Sequence, residues 1–284
     1  MRSAPAPGRG TIGALLALLE GRRIAVLTGA GVSTDSGIPD YRGLGSPQRT
    51  PMTYAQFVGD ERFRRHYWAR NHVGWARVQR TSPNAGHRAL AELEARGIVV
   101  GVVTQNVDTL HEQAGSRRVV DLHGRFDRVV CLGCGHPLPR AELAQTLTEL
   151  NPTFLDRVDP VGDVETAPDA DAVVEDTAHF KVAPCPACGG MLKPDIVYFG
   201  ETVPPARVEA AFGIVDDADA LLVVGSSLAV QSGLRLVRRA VAAEHPVAVV
   251  NRGATKGDRH AAVTVHAGAS EVLQLLAAHL PPVR

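Results

Sequence analysis

The chain reads as an α/β protein, a Rossmann-like parallel sheet with a small domain made of a zinc ribbon and a helical segment. Short apolar runs at 24–28, 99–103, 119–122, 196–199, 221–224 and 247–250 alternate with helical patterns at 85–96, 204–215, 234–243 and 271–280. That rhythm predicts a parallel sheet covered on both faces. The first run leads directly into a glycine-rich turn, Gly29-Ala-Gly-Val-Ser-Thr-Asp-Ser-Gly-Ile-Pro-Asp-Tyr-Arg42. Two C-x-x-C pairs, Cys131/Cys134 and Cys185/Cys188, interrupt the rhythm and mark a separate module.

In chain order, Thr11 can cap a first helix whose leucines at 15, 16, 18 and 19 form one face and which Gly21 ends. The strand at 24–28 and the glycine turn then look like a nucleotide-binding beginning, the turn opening a further helix. Residues 46–83 read as helices with an aromatic and arginine-rich stretch, Phe63-Arg-Arg-His-Tyr-Trp-Ala-Arg-Asn71. The expected partition is therefore 1–45, 84–130 and 193–284 for the Rossmann-like domain, 46–83 for the helical insert, and 131–192 for the zinc module. That module carries an acidic run including Asp156, Asp159, Asp163, Glu165, Asp169, Asp171, Glu175 and Asp176, which reads as a solvated loop or one folded over the site.

Composition excludes several functions. The 284 residues carry 30 basic and 30 acidic side chains, so there is no strong basic field for non-specific nucleic-acid or membrane-surface binding. The apolar stretches at 12–19 and 218–224 fall short of the roughly 20 residues that span a bilayer. The first ten residues lack the apolar core of a secretory signal, so the expected location is cytoplasmic. No exposed apolar repeat stands out, and a monomer is the expectation.

Several positions carry chemistry. The glycine turn brings backbone N–H groups towards an anion, but Thr34 stands where the dehydrogenase fingerprint has its third glycine. In a reducing cytosol the four cysteines read as one tetrahedral zinc site, structural because no coordination position is left for water. Thr104-Gln-Asn-Val-Asp108 lies past the end of one strand, where doubly wound sheets bind ligands. Asp121-Leu-His-Gly124 follows another, making His123 a candidate general base. Gly225-Ser-Ser227 and Asn251-Arg-Gly253 end two more strands, so small and amide side chains converge on one crevice.

Together these segments resemble the sirtuin family of NAD-dependent protein lysine deacylases. The resemblance rests on Gly29 to Arg42, Thr104 to Asp108, Leu122 to Gly124, the paired cysteines, Lys193-Pro-Asp-Ile-Val-Tyr-Phe-Gly-Glu201, Gly225-Ser-Ser-Leu228 and the Asn251 segment. Finer features at 67–71, 114–118 and 227–233 look like class II, the branch that includes the mitochondrial lipoamidase-type sirtuin. Many other sirtuins have threonine in place of Ser226 and proline near Ser232.

The resemblance implies that Gly29, Ala30, Gly31, Ser33 and Arg42 line the dinucleotide pocket, with Ile38, Asn106 and Asp108 around the nicotinamide and Gln105 at its ribose. Gly225, Ser226 and Ser227 would hold phosphate and adenosine ribose; Asn251, Arg252, Gly253 and Ala269 would lie near the adenosine. Val197, Phe199, Gly200 and Glu201 would form one wall of the acyl-peptide cleft. In the implied reaction the acyl oxygen attacks C1′ of the nicotinamide ribose and nicotinamide leaves. His123 then acts as base, with Asn106 and Asp108 as further catalytic residues. NAD is consumed as a co-substrate, and one structural zinc completes the protein. Tyr67 and Arg70 reproduce a Tyr-x-x-Arg spacing that in some sirtuins places a phenol and a guanidinium against acyl carboxylates, so dicarboxylic or longer acyl chains are expected substrates. The partners would be acyl-lysine proteins or peptides. Two alternatives share the pocket, a protein mono-ADP-ribosyltransferase and a catalytically silent NAD sensor.

Overall fold

The computed structural model describes residues 10–40, 51–158, 172, 174 and 176–283. Nine strands are described: β1 (Ile24–Thr28), β2 (Val99–Thr104), β3 (Val119–Asp121), β4 (Gly124–Cys131), β5 (Pro137–Pro139), β6 (Leu192–Ile196), β7 (Ala220–Val224), β8 (Val247–Val250) and β9 (Val263–Val265). The helices are α1 (Ile12–Leu19), α2 (Tyr54–Gly59), α3 (Glu61–Val78), α4 (Ala85–Ala95), α5 (Leu110–Gln113), α6 (Arg140–Leu150), α7 (Phe154–Val158), α8 (Pro205–Asp216), α9 (Gln231–Ala242) and α10 (Ala269–His279).

Six strands form an all-parallel sheet in the order β3-β2-β1-β7-β8-β9. Successive side chains of a strand point to opposite faces, and here both faces are covered. Ile24 and Val26, Leu222 and Val224, Ala248 and Val250 pack beneath α1, α4 and α10 with Leu15, Leu19, Leu90, Leu93, Val272 and Leu276. Their neighbours Ala25 and Leu27, Leu221 and Val223, Val247 and Val249 pack beneath α8 and α9 with Ile214, Leu234 and Val237. This double burial is why the strands read as unbroken apolar runs. The caps are local: Thr11 accepts from Ala14 N at the start of α1, and Asn84 accepts from Gly86 N and His87 N at the start of α4.

The second layer is antiparallel, β5-β4-β6. With α2, α3, α6 and α7 it surrounds its own core, including Phe57, Tyr67, Trp68, Leu143, Leu147, Phe154 and Phe180. Ala172 and Val174 are buried in that core, so parts of the inter-cysteine segment pack there; Asp159, Asp163, Glu165, Asp169, Asp171 and Glu175 lie outside the described residues.

Three expectations are corrected. The strand expected at 196–199 lies earlier, at Leu192–Ile196, and belongs to the small sheet; beyond it Phe199 makes only a single bridge to Thr53. Pairing with β4 decides this, because it is what brings the two cysteine knuckles together. The small sheet thereby draws in 124–130 and 193–196, which the sequence partition places with the large one. The glycine turn opens no α-helix but two 3-10 turns, Ala30–Val32 and Thr34–Ser36, the second closed by Gly37 at φ 84°. Among the described residues no helix is long and apolar enough to cross a membrane.

Candidate active site

The site is built where the C-terminal ends of β1, β2, β7 and β8 meet. Gly29 to Gly31 leave β1 and run flush against Gly225, with Gly31 N donating to Gly225 O at 2.9 Å. A methyl group on Gly31 would stand 2.9 Å from Gly225 Cα. One on Gly225, which has φ 63°, would stand 2.6 Å from Val32 N. Only glycines let these two backbones touch. With no long helix opening here, the anion-binding capacity of the turn rests on its backbone N–H groups rather than on a helix macrodipole.

Beneath the turn, Ser33 is fully buried and joins two residues that follow β2. Its Oγ donates to Asp108 Oδ2 at 2.6 Å and accepts from Asn106 Nδ2 at 3.0 Å. Leu110 N donates to the other Asp108 oxygen at 3.0 Å. Burial pushes the Asp108 carboxyl up from its ordinary pKa, against the pull of the Ser33 and Leu110 hydrogen bonds. Ile38 is buried nearby, its N–H donating to Ser33 O at 3.3 Å. Behind this cluster His111 Nε2 meets Thr28 Oγ1 at 2.9 Å, and His87 Nδ1 accepts from Asn84 N at 3.3 Å. Burial lowers these two imidazoles to about 3 and about 4, so both are neutral.

His123 hangs from the same turn of chain. Its Nδ1 lies 3.0 Å from Gln105 O. A carbonyl can only accept, so Nδ1 carries the proton and Nε2 presents the basic lone pair. That nitrogen lies 2.7 Å from Ser232 Oγ, in the first turn of α9. Burial, and secondarily the Arg207 charge, lower the His123 pKa against the Gln105 hydrogen bond, keeping the ring a neutral base. Gln105 N donates to Thr28 O at 3.0 Å, while its side-chain oxygen accepts from Ser226 Oγ. One short turn, 104–108, therefore orients His123, Asn106 and Asp108 together.

At the far end, Ser227 O accepts from Lys256 N at 3.1 Å. Asn251 ends β8, its side chain donating to Gly253 O at 2.8 Å. The Arg252 guanidinium lies beside Gly268, and buried Ala269 begins α10. Arg42 lies outside the described residues.

The other wall follows β6. Val197 N donates to His123 O at 2.8 Å, and Tyr54 N to Phe199 O at 2.9 Å. Phe199, two residues beyond Val197, is 41% exposed and leaves an open apolar surface on this wall. Glu201 Oε2 accepts from Tyr198 N at 2.9 Å and pairs with buried Lys193 at 3.1 Å, closing the segment around Gly200 (φ 78°). Tyr67 is buried against Phe57 and Tyr198. Arg70, one turn on, donates from Nε to Ala172 O at 2.6 Å, which ties it to the inter-cysteine segment, and its Nη1 lies 3.1 Å from His66 one turn back on α3.

The four cysteine sulfurs lie within 4.8 Å of one another, with Cys131 to Cys188 at 3.5 Å and Cys134 to Cys185 at 3.9 Å. Ligands at ~2.3 Å around a tetrahedral zinc would be about 3.8 Å apart, so this donor set fits a structural Zn(II). Gly133 N and Gly190 N donate to Cys131 and Cys188 Sγ, the outer hydrogen bonds expected of bound thiolates.

Sequence reasoning missed Ser232 and Lys193 as site residues; both carried a signal, Ser232 standing where many sirtuins have proline and Lys193 heading the Lys193–Glu201 motif.

A profile of the Sir2 family matches residues 29–232, and the chain belongs to that family. It is 59% identical over 276 residues to NAD-dependent protein deacetylase 1 of Mycobacterium avium (strain 104), covering 97% of this chain and 98% of that protein. NAD-dependent protein deacetylase 1 of Streptomyces coelicolor is 51% identical, covering 91% of this chain and 86% of its own. A solved Sir2–p53 peptide–NAD+ complex superposes with TM-score 0.71 at 28% identity, covering 94% of this chain and 97% of that one.

Proposed function

We propose that the protein is an NAD-dependent protein lysine deacylase acting on acyl-lysine peptides, releasing nicotinamide and O-acyl-ADP-ribose. The observation that carries this reading is the 104–108 turn, which sets a neutral base with its lone pair at Nε2 and a buried Ser33–Asn106–Asp108 cluster on one crevice. Bound NAD would supply an electrophilic ribose carbon with nicotinamide as its leaving group. The amide of Asn106 and the carboxyl of Asp108 offer a donor and an acceptor to a carboxamide, and their burial excludes water from that end of the crevice. His123 takes a proton at Nε2, with Gln105 O holding the ring in register throughout.

Gly29 to Gly31, Gly225 to Ser227 and Asn251 to Gly253 would hold the phosphates and adenosine, Arg42 and Ala269 completing the set. Val197 to Glu201 would pair with the peptide backbone. Terminally carboxylated or longer acyl chains are the preferred substrates in this reading. The class II motifs support it, and Tyr67 and Arg70 would serve the acyl end. We place the enzyme in the cytoplasm as a monomer, a reducing setting that keeps four thiols available to zinc.

The test is mass spectrometry of NAD reactions with acetyl-, glutaryl- and lipoyl-lysine peptides, wild type against His123→Ala. Deacylated peptide matched by O-acyl-ADP-ribose, and lost in the variant, is expected. Nicotinamide release with ADP-ribose on protein and no deacylation would make it a transferase; binding without turnover would make it a sensor.

A further inference from the structure

Helix α6 begins with Arg140, which is only 1% exposed. No carboxylate pairs with it among the described residues. Its Nε donates to Asn71 Oδ1 at 3.0 Å and its Nη2 to Asn71 O at 3.4 Å. Asn71 Nδ2 in turn donates to Tyr67 Oη at 3.4 Å, so phenol and guanidinium are joined through one amide. The guanidinium carbon lies 5.6 Å from the centre of the Trp68 ring and 5.1 Å from that of Trp75. Two buried donors here have no acceptor, Arg140 Nη1 and Trp68 Nε1. Burial lowers the guanidinium to about 10, which leaves it a cation at neutral pH.

A buried cation with an unmet N–H and no counter-ion is costly, and the box around it is otherwise aromatic. An anion would satisfy both the charge and the open donors. The box also adjoins the reaction centre. Trp75 packs on Phe126 with ring centres 5.2 Å apart, and Phe126 N donates to Val107 O at 3.0 Å. Val107 stands between Asn106 and Asp108 and packs against both the Trp75 cluster and the core containing Tyr67 and Trp68. We propose that Arg140, with Trp68 Nε1 as a second donor, is the anchor for the terminal carboxylate of a dicarboxylic acyl chain on lysine. Tyr67 and Arg70 would line the same acyl end, with Arg70 bonded to the Ala172 carbonyl and His66, while Arg140 supplies the open donor for the carboxylate. The proposal rests on the deacylase reading above.

The experiment compares kcat/KM for glutaryl-lysine, its terminal-amide isostere and acetyl-lysine peptides in wild type, Arg140→Met and Arg140→Lys, with melting temperature recorded for each. Wild type should prefer the carboxylate over the amide by about 10-fold or more. Arg140→Met should bring that ratio to about one and lower the glutaryl-to-acetyl ratio by a similar factor, while Arg140→Lys keeps an intermediate preference. If the methionine variant does not fold, the wild-type ratio and the lysine variant still decide. Equal use of carboxylate and amide by wild type, or parallel loss on all three peptides in a folded variant, overturns the anchor and leaves the deacylase standing. Wild type cleaving none of the three overturns both.

Discussion

Acidification from pH 7.5 to 5.5 should destabilise this fold through three histidines that folding keeps neutral. His72, His87 and His111 are nearly or fully inaccessible, and burial holds them at about 4, about 4 and about 3. The unfolded chain protonates each near 6.5, so below that value it binds more protons than the native state. Stability is therefore full above pH 6.5 and falls as pH drops towards the folded values. The linkage relation gives about 1.4 kcal/mol lost per histidine at pH 5.5. Asp121 works against this: burial raises it to about 6, so the native state gains protons there that the unfolded state does not, offsetting about 0.8 kcal/mol. The net fall is about 3 kcal/mol, a large share of a typical domain stability. Urea melts at the two pH values measure it, with zinc retention checked at each. His72 is the residue to remove, because it packs against Phe180 and Thr148 in the second core, away from the His123 crevice. His72→Leu should take away about 1.4 kcal/mol, somewhat under half, of that net pH dependence. A folded His72→Leu protein with the wild-type slope, or a wild type equally stable at both pH values, would refute the argument.

Zinc analysis should find one equivalent per chain, and strong chelation or Cys188→Ser should lower the melting temperature by ten degrees or so as the two knuckles lose their cross-link. Two disulfides and no metal would sink that expectation. Gly225→Ala should weaken NAD binding by about 10-fold or more, because a methyl at φ 63° meets Val32 N at 2.6 Å; calorimetric titration with unchanged affinity would show the contact is not required. Ser33→Ala leaves Asp108 Oδ2 and Asn106 Nδ2 without their shared hydroxyl, so kcat/KM should fall by about 10- to 100-fold with little change in peptide affinity; a fall confined to peptide affinity would contradict this.

The chain order by itself determined the parallel sheet, since strands buried on both faces must be apolar nearly throughout; β7 and β8 are apolar at every position and β1 at all but its last, Thr28. It also determined the strand-end location of His123, Asn106 and Asp108 and each C-x-x-C knuckle, because each depends on residues a few positions apart; bringing the two knuckles together took the β4–β6 pairing. Tertiary contacts decided the rest. The segment after β1 has the composition of a helix start, yet the demand that Gly31 touch Gly225, nearly two hundred residues on, coils it into 3-10 turns. The apolar run at 196–199 looks like a strand, but pairing with β4 moves the strand back to Leu192–Ile196 and leaves Phe199 at the cleft. Ser232 reaches His123 across 109 positions, and Arg140 reaches Asn71 across 69. Neither pairing has a local period or spacing to announce it, because which side chain completes a buried polar site is settled only when separate elements pack.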